Sequence, residues 1–278
     1  MKKKISIGYI VAVVLLILFS LGPIIWCFII SLTPEAQMLK QTSSIMPSEL
    51  IWDRYIQILD TSTQAHKTIM SGLEGSIRIS AITLALGIPL TTITAYALSR
   101  YEFKGKKVLV NLLLLTIVIP VFSTIIPIYN IFKDLKLLDS MTMTAVIYIS
   151  SFMPMNTWIM MNYFNQIPEE IWQAASLDGF TKTQTFFKIA IPMASPAILT
   201  CSLIMFLMSW KQYVIPTILL TSFDNRTITM VMSEFMTRDA IEYGMISAAG
   251  ILAIIPPTIA AVLFRKFLVS NMSSGAMK

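Results

Sequence analysis

Few side chains in this 278-residue chain belong to the types that catalyse reactions or bind metal ions. The sequence has one histidine, His66, and two cysteines, Cys27 and Cys201, which both lie in apolar segments. A disulfide framework, a thiolate metal site or a histidine proton relay is therefore not expected. The sequence also lacks a GxxxxGK[ST] phosphate loop, so any ATP must be bound by another chain. We expect no catalytic residues and no metal site, and we do not expect an enzyme.

The most patterned polar segment covers residues 165–191. Pro168 suits the first turn of a helix, where its missing N–H is not needed. Glu169 and Glu170 follow it and would lie near the positive end of the helix dipole. Gly179 permits the left-handed backbone conformation that often ends a helix. The sequence therefore predicts a short helix that ends in a glycine elbow.

A second short helix is predicted immediately after the elbow. Residues 181–184 read Thr-Lys-Thr-Gln, the capping-box pattern that starts a helix. On the first helix, Ile171, Ala174 and Ala175 share one face because they are three and four residues apart. We expect both alanines to be exposed, since small side chains would let a partner protein approach closely.

The elements that hold this segment are apolar. Hydrophobic residues make up 55% of the chain and charged residues only 13%, whereas soluble domains have about 25% charged residues. Six stretches approach or exceed the roughly 20 residues that a membrane-spanning helix needs. We therefore predict an all-α, polytopic membrane protein with one transmembrane domain over residues 1–278. The predicted spans are 7–32, 76–98, 108–132, 141–163, 192–220 and 244–267.

The basic residues indicate how these spans are oriented. The net charge is +6, but the cations form no stripe with exposed aromatic residues, so nucleic-acid binding is not indicated. With a cytoplasmic N-terminus, inner segments hold 12 of the 21 lysines and arginines and outer segments hold 7. Positive charge collects on the inner side of membranes, so both termini are predicted to be cytoplasmic. The first apolar stretch is too long for a signal peptide and is predicted to be retained.

Seven residues in this segment and directly after it occur at a characteristic spacing: Gln173, Ala174, Ala175, Gly179, Ile189, Ile191 and Pro192. The segment resembles the EAA loop of ABC importer permeases, whose pattern is E-A-A-x3-G-x9-I-x-L-P. The chain departs from that pattern at Gln173, where the family has glutamate, and conservatively at Ile191. Because Gln173 carries no charge, an ion pair with the ATPase is not expected at this position.

Further matches resemble the carbohydrate importers, and in particular the MalG-type subunit of oligosaccharide importers. They lie at Pro120, Trp210, Tyr213 and residues 126–129, 167–170, 177–179 and 273–278. This subfamily often has Trp-Asn followed by an acidic residue. The present chain has Trp210-Lys211-Gln212 instead, so the site around Trp210 is expected to differ in function.

The resemblance implies a transport subunit in a bacterial plasma membrane. Its partners would be a second, different permease chain, two ATPase subunits that bind ATP and magnesium, and an extracellular sugar-binding protein. The cargo would be a carbohydrate, most simply an oligosaccharide. The first helix of the EAA loop would dock on the ATPase, and the C-terminal residues 273–278 would reach toward it. The residues assigned to this coupling are Glu169, Glu170, Gln173, Ala174, Ala175, Asp178, Gly179, Ile189, Ile191 and Pro192.

Residues that could contact a sugar are found in the fourth and fifth predicted spans. Aromatic faces and amide or hydroxyl groups typically hold polyols, whereas helix packing and interfacial anchoring are the alternative roles for the same residues. Lys211 stands apart because an ionisable group within a span is a functional candidate by default. The candidates are Asn156, Trp158, Trp210, Lys211, Gln212 and Tyr213.

Three other functions remain as alternatives. An ABC importer for a peptide, a polyamine or a phosphonate would share the EAA-type loop. A secondary transporter would need acidic residues near the membrane midplane, and no aspartate or glutamate lies in the middle of a predicted span. An intramembrane enzyme would need a nucleophile or metal cluster within the spans, and the sequence offers none.

Overall fold

The computed structural model describes residues 7–38, 46–236 and 241–275. Within these ranges the chain is helical, and the only β-type pairing is an isolated bridge between Met236 and Ile241. The predicted all-α class is confirmed. Residues 276–278, the end of the predicted C-terminal tail, lie outside the described residues.

The helices follow one another with short connections in most of the chain. In order they are α1 Ile7–Leu32, α2 Glu35–Met38, α3 Asp53–Leu59, α4 Gln64–Arg100, α5 Lys106–Thr116, α6 Val121–Asp134, α7 Met141–Phe164, α8 Glu169–Leu177, α9 Lys182–Thr185, a π-helix Phe186–Ala190, α10 Ile191–Met193, α11 Ser195–Trp210, α12 Val214–Leu219, a 3₁₀ turn Phe223–Asn225, α13 Ile228–Glu234 and α14 Tyr243–Gly275.

Four helical stretches in the described part of the chain are both long and apolar enough to cross a membrane. They are Ile7–Leu32, Gln64–Arg100, Lys182–Trp210 and Tyr243–Arg265. Helix α7 has 24 residues, or about 36 Å of helix, but serine, threonine and asparagine make it less apolar. These helices account for five of the six predicted spans.

The third predicted span, 108–132, is not one continuous helix. It is divided into α5 and α6 by the residues from Ile117 to Pro120. Pro120 has φ −67° and ψ 131° and forms the N-cap of α6. A proline has no N–H to continue the preceding helix, and it disfavours helical backbone at the residue before it. The break is therefore a local consequence of Pro120.

The fifth predicted span, 192–220, is also interrupted. Helix α11 ends at Trp210, and α12 begins at Val214. Pro216 lies in the first turn of α12, where its missing N–H leaves no hydrogen bond unmade. Residues 211–213 therefore lie between two helices instead of inside one.

The described residues divide into two compact units. One contains the residues up to Leu73 together with Ile228–Pro256, and the other contains Glu74–Thr227 together with the described residues from Pro257 onward. Each unit is considered separately below.

The first unit is organised around a buried arginine. The Arg54 guanidinium donates to the carbonyls of Ser31 and Thr33 at 2.9 and 2.8 Å and pairs with Glu35 at 2.6 Å. Its charge is therefore matched by Glu35 at the start of α2. A Cβ on Gly244, at the start of α14, would overlap the same guanidinium, so glycine is needed there for close packing.

The second unit is a helix bundle that holds the segment with the EAA-type spacing. Helix α7 packs against α5, α11 and α12, and α12 also packs against α6. A buried hydrogen bond of 3.1 Å joins the hydroxyls of Ser80 in α4 and Ser209 in α11. This bundle positions both features described next.

Candidate functional site

Helix α8 and the elbow after it form as predicted, except that Pro168 is the N-cap of the helix and not part of its first turn. Pro168 precedes the helix with φ −56° and ψ 141°. Gly179 has φ +78°, and the N–H groups of Gly179 and Phe180 donate to Ser176 and Ala175 at 3.2 and 3.0 Å. These two bonds form a Schellman motif. A Cβ on Gly179 would meet no atom within 4 Å, so glycine is required for its backbone conformation alone.

The second helix begins with the predicted capping box. The Thr181 hydroxyl accepts from the Gln184 N–H at 3.3 Å, and the Gln184 side chain accepts from the Thr181 N–H at 2.9 Å. Helical structure then continues from Lys182 through the π-helix to Trp210, because Pro192 and Pro196 lie in the first turns of their own helices.

An aromatic cluster lies beneath α8. The Tyr96 ring is 5.0 Å from Phe186, 5.6 Å from Phe164 and 6.1 Å from Trp172, measured between ring centres. Ile189 packs against the same cluster. The cluster therefore brings together α4, α7, α8 and the π-helix, and it gives α8 a rigid base.

Helix α8 is also tied to the end of α4 by Arg100. Two guanidinium nitrogens of Arg100 bind the Glu169 carboxylate at 2.7 and 3.0 Å. The guanidinium carbon lies 4.6 Å from the centre of the Trp172 ring, within the range of a cation–π interaction. The hydrogen bonds from Arg100 hold the pKa of Glu169 below its ordinary value.

Arg100 was not among the predicted site residues. The available signal was an arginine at the end of an apolar stretch that is predicted to be cytoplasmic, together with the Glu169-Glu170 pair. Sequence alone does not show which glutamate the arginine faces. The structure pairs Arg100 with Glu169 and leaves Glu170 exposed.

The two alanines of α8 point in different directions. Ala174 is exposed, as predicted, but Ala175 is 3% exposed, so the prediction of two exposed alanines is wrong. Ala175 follows Trp172 by three residues and shares its buried side. The exposed side instead includes Gln173 and Leu177, whose side chain is 88% exposed. We define the docking face of α8 as Glu170, Gln173, Ala174, Leu177 and Asp178.

The remaining predicted coupling residues lie along the helical run after the elbow. Ile189 and Ile191 are half-buried, and Pro192 is exposed in the first turn of α10. The run is 29 residues long, about 43 Å at 1.5 Å per residue. Its first end is the elbow, and its other end is at Trp210.

A cavity of 460 Å³ lies beside the far end of this run. Both helix breaks contribute to it, one at residues 117–120 and the other at 211–213. We name it the Lys211 cavity and define it by its lining residues: Thr116, Ile117, Ile119, Thr124, Ser150, Ser151, Phe152, Met155, Met208, Lys211 and Gln212.

Two of the six predicted sugar-contact residues, Lys211 and Gln212, line this cavity. The lining does not include Asn156, Trp158, Trp210 or Tyr213. Asn156 is fully buried and donates to the Phe152 carbonyl at 2.9 Å. Trp210 is buried against Phe206 with ring centres 5.6 Å apart. Trp158 and Tyr213 are 45% and 42% exposed. Ser150, Ser151 and Thr116 line the cavity but were not among the predicted sugar-contact residues. Two adjacent serines within an apolar span could have indicated a polar cavity.

Residues 87–274 match the protein family described as "binding-protein-dependent transport system inner membrane component". The match covers most of the chain and includes both α8 and the Lys211 cavity. The chain belongs to this permease family. The predicted family is therefore confirmed, and the protein is a multi-pass inner-membrane transport component.

This permease is similar along nearly its whole length to permease proteins of sugar transport systems. It is 28% identical to the trehalose transport system permease protein SugB of Mycobacterium tuberculosis, over 94% of this chain and 93% of that one. It is 25% identical to the trehalose/maltose transport system permease protein MalG of Thermococcus litoralis, over 97% and 95%.

The fold of the permease is also found among solved structures. One is a bacterial ABC transporter involved in the import of the acidic polysaccharide alginate, with a TM-score of 0.74 and 22% identity over 93% of this chain and 95% of that one. The predicted fold of a type I importer transmembrane domain is confirmed.

Proposed function

We propose that this permease is a membrane subunit of an ATP-driven importer for a carbohydrate, most simply an oligosaccharide, delivered by an extracellular binding protein. Its family is binding-protein-dependent, and the relatives named above transport trehalose or maltose. The alternative cargo classes of peptide, polyamine and phosphonate have no comparable support. The chain would have no catalytic residues of its own.

The observation that carries the mechanism is the way α8 is mounted. Its buried side is fixed by the aromatic cluster and by the Arg100–Glu169 pair. Its docking face, with the 88% exposed Leu177, would enter a groove on an ATPase subunit. A helix fixed on one side and exposed on the other transmits displacement, whereas a loose loop would absorb it.

Displacement of α8 would reach two spans. Arg100 and Tyr96 belong to α4, so movement of Glu169 and Trp172 would act on that span directly. The elbow joins α8 to the helical run that ends at Trp210. Closure of two ATP-bound ATPase subunits, which also hold magnesium, would thus move α4 and α11 together.

The Lys211 cavity would form part of the substrate pathway. It lies beside the end of the helical run that begins at the elbow, so rotation of this run would change the shape of the cavity. A second permease chain would complete the pathway. In this arrangement both termini and α8 lie on the cytoplasmic side, where the ATPases bind.

The proposal is tested by purifying the permease with its partner permease and ATPases and reconstituting the complex in proteoliposomes. ATP hydrolysis is measured with the binding protein and a panel of oligosaccharides, peptides, polyamines and phosphonates. We expect stimulation by a carbohydrate and uptake of the same compound. Stimulation by a member of another class, with none by any carbohydrate, would overturn the proposal.

A further inference from the structure

Lys211 is a cation in a cavity that contains no acid. No aspartate or glutamate lines the Lys211 cavity. The ion pairs found in the described part of the chain join Arg54 to Glu35, Arg100 to Glu169 and Lys106 to Glu102. Lys211 takes part in none of them. Lys211 directly follows a helical run that is apolar enough to cross a membrane, and an ionisable group next to such a run usually has a partner or marks the path of a substrate.

Three of the four hydroxyl groups that line the cavity can act as hydrogen-bond acceptors toward a ligand. The Ser150 and Ser151 hydroxyls donate to the Ile147 carbonyl at 2.8 and 2.9 Å, and the Thr116 hydroxyl donates to the Leu113 carbonyl at 2.6 Å. Because each hydroxyl hydrogen is used within its own helix, each oxygen offers lone pairs to a ligand. These oxygens suit the hydroxyl hydrogens of a sugar and disfavour an anionic group.

Different parts of the cavity therefore suit different groups of a ligand. Sugar hydroxyls fit the acceptors on α5 and α7, and an anionic group fits only the end that carries Lys211. We propose that Lys211 makes this permease selective for anionic carbohydrates, those that carry a carboxylate, sulfate or sulfonate group. This proposal rests on the proposed function of carbohydrate import. It narrows the substrates of the permease from carbohydrates in general to anionic ones.

A structural role of Lys211 at the end of α11 must be separated from a role in selectivity by the test. It is the C-cap of α11, and a cation at a helix C-terminus stabilises the helix dipole. A purely structural role would change the stability of the protein and would affect all substrates equally. A selectivity role would depend on the charge of the substrate.

The experiment uses the complete complex with its binding protein in proteoliposomes. Two oligosaccharides of equal length are compared, one built of uronic acids and one of the corresponding neutral hexoses. Uptake is measured for the native protein, for Lys211→Gln and for the control Lys211→Arg, which keeps the charge. Thermal unfolding of each complex is measured in parallel.

We expect native uptake of the anionic oligosaccharide, a loss of roughly tenfold or more in Lys211→Gln, and retention in Lys211→Arg. Native uptake of only the neutral compound would overturn the proposal but leave carbohydrate import intact. Equal uptake by native and Lys211→Gln complexes, or equal loss for both compounds with a lowered unfolding temperature, would also overturn it. Uptake of neither compound by the native complex, while a non-carbohydrate is imported, would instead refute the proposed function.

Discussion

Gly179 and Gly105 share a backbone conformation but differ in position. Their φ angles are +78° and +89°, and a Cβ at either would meet no atom within 4 Å. Replacement by alanine therefore costs backbone strain alone, about 1–2 kcal/mol at each position. A comparison of the two alanine variants therefore distinguishes an effect on the stability of the fold from an effect on the geometry of the elbow.

We predict that Gly179→Ala and Gly105→Ala lower the free energy of unfolding by similar amounts, but that only Gly179→Ala lowers uptake, by roughly tenfold. The physical reason is that a strained elbow shifts α8 relative to the helical run after it. Thermal unfolding and uptake by the reconstituted complex measure the two effects. Equal uptake by the two variants would show that the elbow does not transmit force.

The Arg100–Glu169 pair gives a prediction about pH. The pKa of Glu169 is lowered from the ordinary value of 4.5 because Arg100 donates hydrogen bonds to the Glu169 carboxylate. A depressed pKa means that the stabilisation is complete above pH 4.5 and is lost as the pH falls through the lowered value.

We predict that the stability difference between the native protein and Glu169→Gln is constant from neutral pH down to about pH 5 and shrinks below the ordinary pKa of glutamate. Thermal unfolding as a function of pH measures it, with Glu170→Gln as the control because Glu170 is exposed and forms none of the ion pairs found in the described residues. A difference that is largest in acid would contradict the assigned pairing.

At the scale of the element, α8 presents one face to its own protein and another to solvent. Ala174 is exposed, whereas Ala175 is 3% exposed. An aspartate therefore has opposite consequences at these neighbouring positions. At the exposed position it alters a surface that a partner would contact, and at the buried position it places an unpaired charge in the interior.

We predict that Ala174→Asp changes the free energy of unfolding by less than about 0.5 kcal/mol and abolishes ATP-driven uptake. Ala175→Asp is expected to destabilise the protein by about 3 kcal/mol or more, because its charge would be buried without a partner. Unfolding, ATPase binding and uptake are measured for each variant. Normal uptake by a well-folded Ala174→Asp complex would show that this face does not dock.

The sequence predicted those structural features that depend on a few neighbouring residues. The capping box at Thr181 and the left-handed Gly179 follow from the preferences of single residues, and both were confirmed. The break before α6 has a local cause in Pro120, but prolines are tolerated inside other helices here, such as Pro89 and Pro154. Sequence alone did not distinguish these cases, because neighbouring helices decide whether a proline is accommodated.

The features that were missed depend on tertiary packing. The burial of Ala175 follows from its position beside Trp172 against the aromatic cluster. The Lys211 cavity requires two helix breaks, distant in sequence, to lie beside α7. For Ala175, the sequence predicted the helical face but not the direction in which it points. For the cavity, the sequence indicated single residues such as Lys211 and Gln212 but not which segments meet there.

At the scale of the whole molecule, the chain is a membrane component of a binding-protein-dependent transport system. Described residues contain no group of three or more histidine, cysteine, aspartate or glutamate side chains that could hold a metal ion. Four described helical stretches are long and apolar enough to cross a membrane. In the proposed mechanism, partner ATPase subunits supply the work of transport, and α8 receives it.

The most direct measurement compares carbohydrate uptake by proteoliposomes that contain either the complete complex or the two permease chains without ATPase. Both preparations have binding protein and substrate outside the vesicles and ATP inside them. In the complete complex, the ATPase subunits face the vesicle interior. The account predicts concentrative uptake only with the ATPase and with hydrolysable ATP. Concentrative uptake by vesicles that contain the permease without any ATPase would contradict it.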